Sequence, residues 1–148
     1  MKRVTGIGGV FFRARNPKRL GAWYAKHLGI SVSGSGGSAR WGVFEWKELG
    51  VNGRKAMTVW AAHPSKTTYF GRRDQDWMLN YRVADLEALL AQLRAEGIRE
   101  AKPSETSEFG KFGWITDPEG NRLELWEPPG PRRASRRTSR RRKPAPRR

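Results

Sequence analysis

The chain has 148 residues, enough for one domain with a hydrophobic core, and carries 30 Lys and Arg residues against 14 Asp and Glu residues. It contains no cysteine, which excludes disulfides and thiolate metal sites. No apolar run approaches the roughly 18 residues of a membrane span. The opening MKRVTGIGGVFF also lacks the long apolar region and the small-residue cleavage site of a secretory signal, so we expect a cytoplasmic protein.

The positive charge is concentrated at the C-terminus. Residues 131–148 contain 10 of the 30 basic residues and no acidic residue, which leaves 20 basic against 14 acidic residues, or +6, in residues 1–130. Such a segment cannot bury apolar surface, so we predict a folded domain over 1–130 and a disordered Arg-rich tail over 131–148. The tail would contact nucleic acid non-specifically through counterion release. The alternative is a solvated tail with incidental affinity.

The first half of the chain predicts a strand, a helix and three further strands. Thr5–Arg15 alternates as a strand. Asn16 is a good N-cap, Pro17 suits the first helical position, and Gly29 ends the helix. The other strands are predicted over Ile30–Ser33, Arg40–Lys47 and Lys55–Ala62, with Asn52-Gly53 as the turn between the last two.

The same order of elements is predicted again after a polar connection over residues 63–76. Trp77–Val83 alternates as a strand, and Asp85 caps a leucine-rich helix that ends at Gly97. Ile98–Ala101 is a weak strand, and residues 109–127 read as two strands joined by a turn at Asp117-Pro118-Glu119-Gly120-Asn121. Two tandem βαβββ modules are therefore predicted, over about 4–62 and 77–127.

This organisation resembles the vicinal oxygen chelate superfamily, which contains glyoxalase I, bleomycin-resistance proteins and extradiol dioxygenases. The resemblance covers about residues 3–129 and rests on the first strand GIGGVFF, the helix exit Leu28-Gly29-Ile30 and the ending DPEGNRLELW. It implies an α+β fold in which two modules form a cupped, largely antiparallel sheet with the helices outside. Members of the family build the cup within one chain or across a dimer, and we expect a homodimer that binds a small molecule.

Enzymes of this family typically place metal ligands at four equivalent points, in the first and last strand of each module. On this sequence those points would be Gly9, Thr58, Met78 and Glu124. Only Glu124 is a competent ligand for a hard divalent cation, and catalytic metal sites need about three protein ligands. We therefore expect no metal or other cofactor, with a divalent metal kept open as the alternative. His27 and His63 are expected outside the cup.

The inferred cup wall is aromatic with a few polar groups, which is typical of a small-molecule site. Ligand binding is assigned to Phe11, Arg13, Thr58, Trp60, Met78, Asn80, Arg82, Arg122 and Trp126. Arg13 and Arg82 occupy equivalent places in the two modules and would jointly hold an anionic group. Glu124 is the candidate catalytic residue, a general base for a proton beside a carbonyl. The alternative is that Glu124 simply pairs with Arg82 or Arg122.

Three functions stay open. The leading hypothesis is a glyoxalase-like protein that binds a small anionic or aromatic molecule in the cup. Such a protein would either be a lyase or isomerase that lacks the usual metal ligands, or bind its ligand without catalysis. The second is a resistance-type protein that sequesters its ligand, although the three arginines in the cup disfavour a cationic drug. The third is a nucleic-acid-associated protein that acts through the tail.

Overall fold

A seven-stranded sheet with two helices forms the protein in a computed structural model, which describes residues 3–47 and 55–130. The elements are β1 (Val4–Ala14), α1 (Pro17–Leu28), β2 (Arg40–Lys47), β3 (Lys55–Pro64), β4 (Trp77–Val83), α2 (Leu86–Ala95), β5 (Glu100–Ser107), β6 (Gly110–Thr116) and β7 (Arg122–Glu127). The predicted Asn52-Gly53 turn and the tail over 131–148 lie outside the described residues.

The two modules meet edge to edge in one sheet, in the order β2-β3-β1-β4-β7-β6-β5. The β1–β3 and β4–β7 pairs are parallel, and the other four pairs are antiparallel. Because β1 and β4 run antiparallel at the junction, an approximate two-fold axis passes between them and exchanges the modules. The predicted α+β fold with two tandem modules is confirmed.

Both helices begin where the sequence predicts, because their start signals are local. The Asn16 side chain accepts a hydrogen bond from the Arg19 amide at 2.9 Å, and Asp85 accepts one from the Ala88 amide at 2.9 Å. Gly29 ends α1 with a φ of 66°, a conformation that suits glycine. No helix in the described ranges is long and apolar enough to cross a membrane.

The outer face of the second module is covered by α2. Its leucines at helical spacing pack onto alternate residues of β4 and β7, in a core formed by Val83, Leu86, Leu89, Leu90, Leu93 and Leu125. Each fully buried side chain of this kind stabilises the fold by about 1.5–3 kcal/mol. Alternation along β4 and β7 then directs the intervening residues to the inner face.

The strand predicted over Ile30–Ser33 is reduced to a single bridge between Ser33 and Trp41. The segment passes so close to β2 that a Cβ on Gly42 would lie 2.9 Å from the Ser31 carbonyl oxygen. Its serines have low strand propensity, and a glycine-rich turn follows directly, so one bridge forms instead of a ladder. The first module therefore has three strands where the second has four.

The strand predicted over Ile98–Ala101 starts later and runs further, over Glu100–Ser107. The Ile98 amide donates to the Leu93 carbonyl at 2.9 Å, and Gly97 has a φ of 84°. These contacts hold the chain at the end of α2, so pairing starts two residues later. The strand lies at the sheet edge, where it tolerates Pro103 and the register shifts of its pairing with β6.

Candidate functional site

The sheet register places four positions in one row across the inner face: Val59, Gly9, Asn80 and Glu124. Gly9 and Asn80 pair across the junction of the two modules, and Val59 and Glu124 are their neighbours on β3 and β7. Val59 and Asn80 thus replace Thr58 and Met78 of the sequence assignment. An error of one residue in the assigned position, as for Thr58, moves the side chain to the other face of the strand. An error of two residues, as for Met78, keeps the face but moves the side chain out of the row.

This row does not fit a divalent metal. Glu124 and the Asn80 amide supply its only oxygen ligands, since valine and glycine have none to offer, and about three protein ligands are needed. Both Glu124 oxygens already accept hydrogen bonds. Residues 3–47 and 55–130 contain no group of three His, Cys, Asp or Glu side chains placed to share a metal ion. We therefore derive no step through a metal, and the absence of a cofactor stays a prediction.

Glu124 is 1% exposed and is held by three neutral donors. The Asn80 amide donates to Oε1 at 2.6 Å, and the Trp114 indole donates to Oε2 at 2.8 Å. The Tyr69 hydroxyl donates to the same Oε2. No ion pair to Glu124 occurs within the described part of the chain, so the expected pairing with an arginine is replaced by an uncharged hydrogen-bond network.

Burial dominates the electrostatics of this network. It raises the pKa of Glu124, while the hydrogen bonds from Tyr69, Asn80 and Trp114 and the Lys102 ammonium lower that pKa in part. Burial also raises the pKa of Tyr69, and the Glu124 charge raises that pKa further. The Tyr69 hydroxyl therefore stays protonated and acts as a donor.

One end of the cup is filled by the connection between the modules. Phe70 is 0% exposed and packs in a cluster with Phe11, Ala61, Met78 and Trp114. The Tyr69 ring covers this cluster, stacking on His63 with centroids 5.5 Å apart and an interplanar angle of 8°. We call this region, formed by the cluster, Tyr69 and His63, the closed end.

Arg13 fixes the connection in place. Its guanidinium donates to the carbonyls of Ser65 at 2.7 Å, Thr67 at 2.6 Å, Gln75 at 3.0 Å and Arg72 at 3.1 Å. It also lies 5.3 Å from the Phe70 ring centroid, and its side chain is 8% exposed. The donors of Arg13 are used within the protein instead of facing a ligand.

Arg122 lies beside the same connection. Its guanidinium donates to the Tyr69 carbonyl at 3.5 Å and occupies the space that a Cβ on Gly71 would fill. The Gln75 side chain bonds the Arg122 backbone at both its amide and its carbonyl, at 2.7 and 2.8 Å. This predicted ligand-binding residue is thus part of the anchoring of the connection.

Arg13 and Arg82 lie at opposite ends of the β1–β4 pair. Arg13 bonds the backbone at Asp76, whereas Arg82 pairs with Gly6. Asp76 and Arg82 are six positions apart along an extended segment, which corresponds to about 20 Å. The structure does not bring the two guanidinium groups together, because equivalent positions in an antiparallel pair lie far apart unless they are close to the two-fold axis.

The other end of the cup contains a cavity of about 270 Å³, lined by Lys55, Ala56, Met57, Arg82, Trp126, Pro128 and Pro129. Met57, Arg82 and Trp126 each lie two residues from a member of the central row, so their side chains are on its face of the sheet. Among these lining residues two are cationic and none is acidic. We call this cavity the open end.

Thr58 and Trp60 are placed away from both ends. The Thr58 hydroxyl donates to the Ile7 carbonyl at 2.9 Å and accepts from the Trp46 indole at 3.1 Å. The Trp60 ring packs 4.8 Å from Tyr24 of α1, on the helix-covered face. Neither is among the residues that bond Glu124 or line the cavity.

Three residues of the site were missed from the sequence. Tyr69 lies in the connection, where only an aromatic pair in an otherwise polar segment pointed to it. Trp114 pairs with Glu124 across the β6–β7 hairpin, a register that the turn at 117–121 would have given. His63 was expected outside the cup, but β3 extends to Pro64, and the His63 ring stacks on the Tyr69 ring. Burial lowers the pKa of His63.

Comparison with known proteins gives a family and a set of similar folds. A family model described as a glyoxalase-like domain matches residues 9–126. No curated protein matches the sequence significantly. Methylmalonyl-CoA epimerase from Mycobacterium tuberculosis is 22% identical, with a TM-score of 0.59, over 88% of this chain and 92% of that chain.

Two further solved structures resemble the fold at lower identity. A methylmalonyl-CoA epimerase variant from Streptomyces coelicolor, in complex with 2-nitronate-propionyl-CoA, is 14% identical with a TM-score of 0.62, over 86% of this chain and 99% of that chain. A structure named NAD-dependent benzaldehyde dehydrogenase from Legionella pneumophila is 16% identical with a TM-score of 0.53, over 82% and 98%. These likenesses show the fold alone. Since the family match spans nearly all of the two modules, the chain belongs to the glyoxalase-like family of the vicinal oxygen chelate superfamily.

Proposed function

We propose that this protein binds a small anionic molecule with an aromatic or apolar part at the open end of its cup. The observation that carries the proposal is the cavity of about 270 Å³, in which two of the described lining residues are cationic and none is acidic. That volume is close to the roughly 300 Å³ at the lower limit of small-molecule sites, so it suits a single ring or a short chain.

The lining divides the recognition between charge and apolar contact. Arg82 and Lys55 place two positive charges along the lining, and positive charge attracts a carboxylate. Met57, Trp126 and the prolines supply the apolar wall. The Trp126 side chain is fixed in position, because its indole donates to the Phe109 carbonyl at 2.8 Å and its ring stacks on Phe112.

A thermal-shift screen of aromatic and aliphatic carboxylates, each paired with its neutral amide, tests this proposal. We expect carboxylates to raise the melting temperature and their amides to have little effect. Lys55→Gln should weaken the response several-fold, because it removes one of the two cations. Lys26→Gln, an exposed change on α1, is the matched control. Equal responses to acids and amides would contradict the proposal.

A second candidate function is proton transfer by Glu124, as in an isomerase or lyase. It is favoured by a carboxylate that is held by neutral donors and whose pKa is raised by burial. For ligands found in the screen, the wild-type protein would exchange the hydrogen beside a carbonyl with D₂O, as followed by NMR, and Glu124→Gln would not. Ligands that bind without exchange would favour the sequestering alternative.

A homodimer stays a prediction; the edge strand β2 leaves Trp41, Val43 and Phe44 38–48% exposed, which suits an interface. Light scattering after size exclusion tests the homodimer, with a monomer mass as the contrary result.

Nucleic-acid contact by residues 131–148 also stays a prediction. Removing the segment should abolish any salt-sensitive gel shift, and a shift that survives its removal would contradict the prediction.

A further inference from the structure

The closed end already holds a phenol, the Tyr69 side chain, whose hydroxyl and ring are both contacted by other residues. The Tyr69 hydroxyl donates to Glu124 Oε2, which also accepts from the Trp114 indole. The ring stacks on His63 and meets the Trp114 ring edge-on, with centroids 6.1 Å apart and an interplanar angle of 79°. The Lys102 ammonium lies 5.8 Å from the centroid of the same ring.

We propose that this position is a second binding site, for the hydroxyl and ring of a neutral phenol, which Tyr69 fills when no ligand is present. The site is distinct from the open end, which is lined by cations and lies on the other side of the row that contains Glu124. The inference goes beyond the proposed function, because it concerns another end of the cup and a ligand of different charge.

Tyr69 is the member of the network that can leave. Asn80 and Trp114 belong to strands and are 2% and 1% exposed, whereas Tyr69 belongs to the connection and is partly exposed. The backbone of the connection is fixed by Arg13 through four carbonyls. Opening therefore requires rotation of the Tyr69 side chain and not movement of the connection.

The groups that remain when the Tyr69 side chain rotates away determine which ligand can bind. Without the Tyr69 hydroxyl, the buried Glu124 carboxylate loses one of its three donors, which is costly inside a protein. A ligand must therefore bring an O–H donor, which excludes a carboxylate or an ether. An anion would also be repelled by Glu124. A neutral phenol meets both conditions, and its electron-rich ring suits the neighbouring ammonium.

The test uses p-cresol, which is the tyrosine side chain without its backbone, and toluene, which has the same shape without the hydroxyl. In the full chain carrying Tyr69→Ala, calorimetry should show p-cresol binding at least about tenfold more tightly than toluene, since a hydrogen bond to a charged group is lost with toluene. The wild-type protein should bind p-cresol saturably but more weakly, because Tyr69 competes. Tyr24→Ala, on the helix face, is the matched control and should bind p-cresol no more tightly than the wild-type protein does.

A second variant keeps the inference testable if Tyr69→Ala does not fold. Tyr69→Phe retains the ring and removes only the hydroxyl, so it should bind p-cresol more tightly than the wild-type protein does. Equal affinity for p-cresol and toluene in Tyr69→Ala, or no p-cresol binding by the wild-type and Tyr69→Phe proteins, would overturn the inference. Lys55→Gln should leave p-cresol binding unchanged, so failure here is distinguishable from failure of the proposed function.

Discussion

The two ends of the cup are built from equivalent strands and yet are opposite in character. The closed end is aromatic and surrounds one carboxylate with neutral donors. Among the described residues that line the open end, two are cationic and none is a carboxylate. Arg13 and Arg82, at corresponding places in the two modules, differ in the same way: Arg13 anchors the connection, and Arg82 lines the cavity.

The cause of this difference is the connection between the modules. The chain has two modules but only one connection between them, and that connection covers one end of the cup. The internal symmetry of the fold is broken by that segment, so equivalent residues take different roles. The two ends should therefore respond differently to mutation, in stability at the closed end and in ligand binding at the open end.

The largest effect is expected from Arg13→Met, which keeps the length of the side chain but removes four hydrogen bonds to the connection. Several carbonyls would lose a charged donor, so the free energy of unfolding should fall by about 3 kcal/mol or more. Urea denaturation measures it, with the exposed Arg15→Met as control. A loss as small as that of the control would contradict the anchoring role of Arg13.

The next largest effect is a difference in stability between two substitutions of Glu124. Glu124→Leu leaves the Asn80, Trp114 and Tyr69 donors unpaired and should lower the free energy of unfolding by about 3 kcal/mol. Glu124→Gln should cost about 1 kcal/mol, because its oxygen accepts from Trp114 and Tyr69 and the Asn80 amide can turn to accept from its nitrogen. Urea denaturation of both variants compares them, and equal losses would show that the hydrogen bonds do not matter.

A smaller, pH-dependent effect follows from the raised pKa of Glu124. The folded protein takes up this proton more readily than the unfolded chain, so the contribution of Glu124 to stability is complete below the unfolded pKa near 4.5 and is lost as the pH rises through the folded pKa. The difference between wild-type and Glu124→Gln stability, measured by urea denaturation at several pH values, should shift against the wild-type protein with rising pH. His63 titrates in both proteins and cancels. A constant difference would contradict the raised pKa.

The smallest effect on stability is expected at the open end. Lys55→Gln changes an exposed residue and should alter the free energy of unfolding by less than about 0.5 kcal/mol, while weakening carboxylate binding several-fold. Urea denaturation and calorimetry on the same samples measure both. A loss of stability without a loss of binding would make the open end a structural feature instead of a site.

The sequence predicted what local signals determine. The caps at Asn16 and Asp85 and the leucines of α2 are determined by neighbours a few residues away, so both helices were placed correctly. The ending at 117–126 carried the family resemblance, which the family match confirms. The strand predicted at 30–33 failed because a weak alternating pattern does not reveal whether a partner strand is close enough to pair.

The candidate site depended on longer-range information. The row across the cup is set by pairing between strands of both modules, and one residue of error placed Thr58 where Val59 belongs. The position of Tyr69 depends on contacts of Arg13 with residues more than 50 positions away in the chain. Neither register nor loop placement is encoded in a local pattern, whereas the inner-face position of Glu124 could be read from the alternation of β7.

Two tryptophans report separately on the two ends, and their indole N–H signals provide the most direct test. Trp126 lines the open end, and Trp114 donates to Glu124 at the closed end. In ¹H–¹⁵N spectra, assigned with Trp126→Phe and Trp114→Phe, benzoate should shift the Trp126 signal saturably and leave the Trp114 signal in place. Benzoate that shifts Trp114 but not Trp126, or neither, would contradict an anion site at the open end.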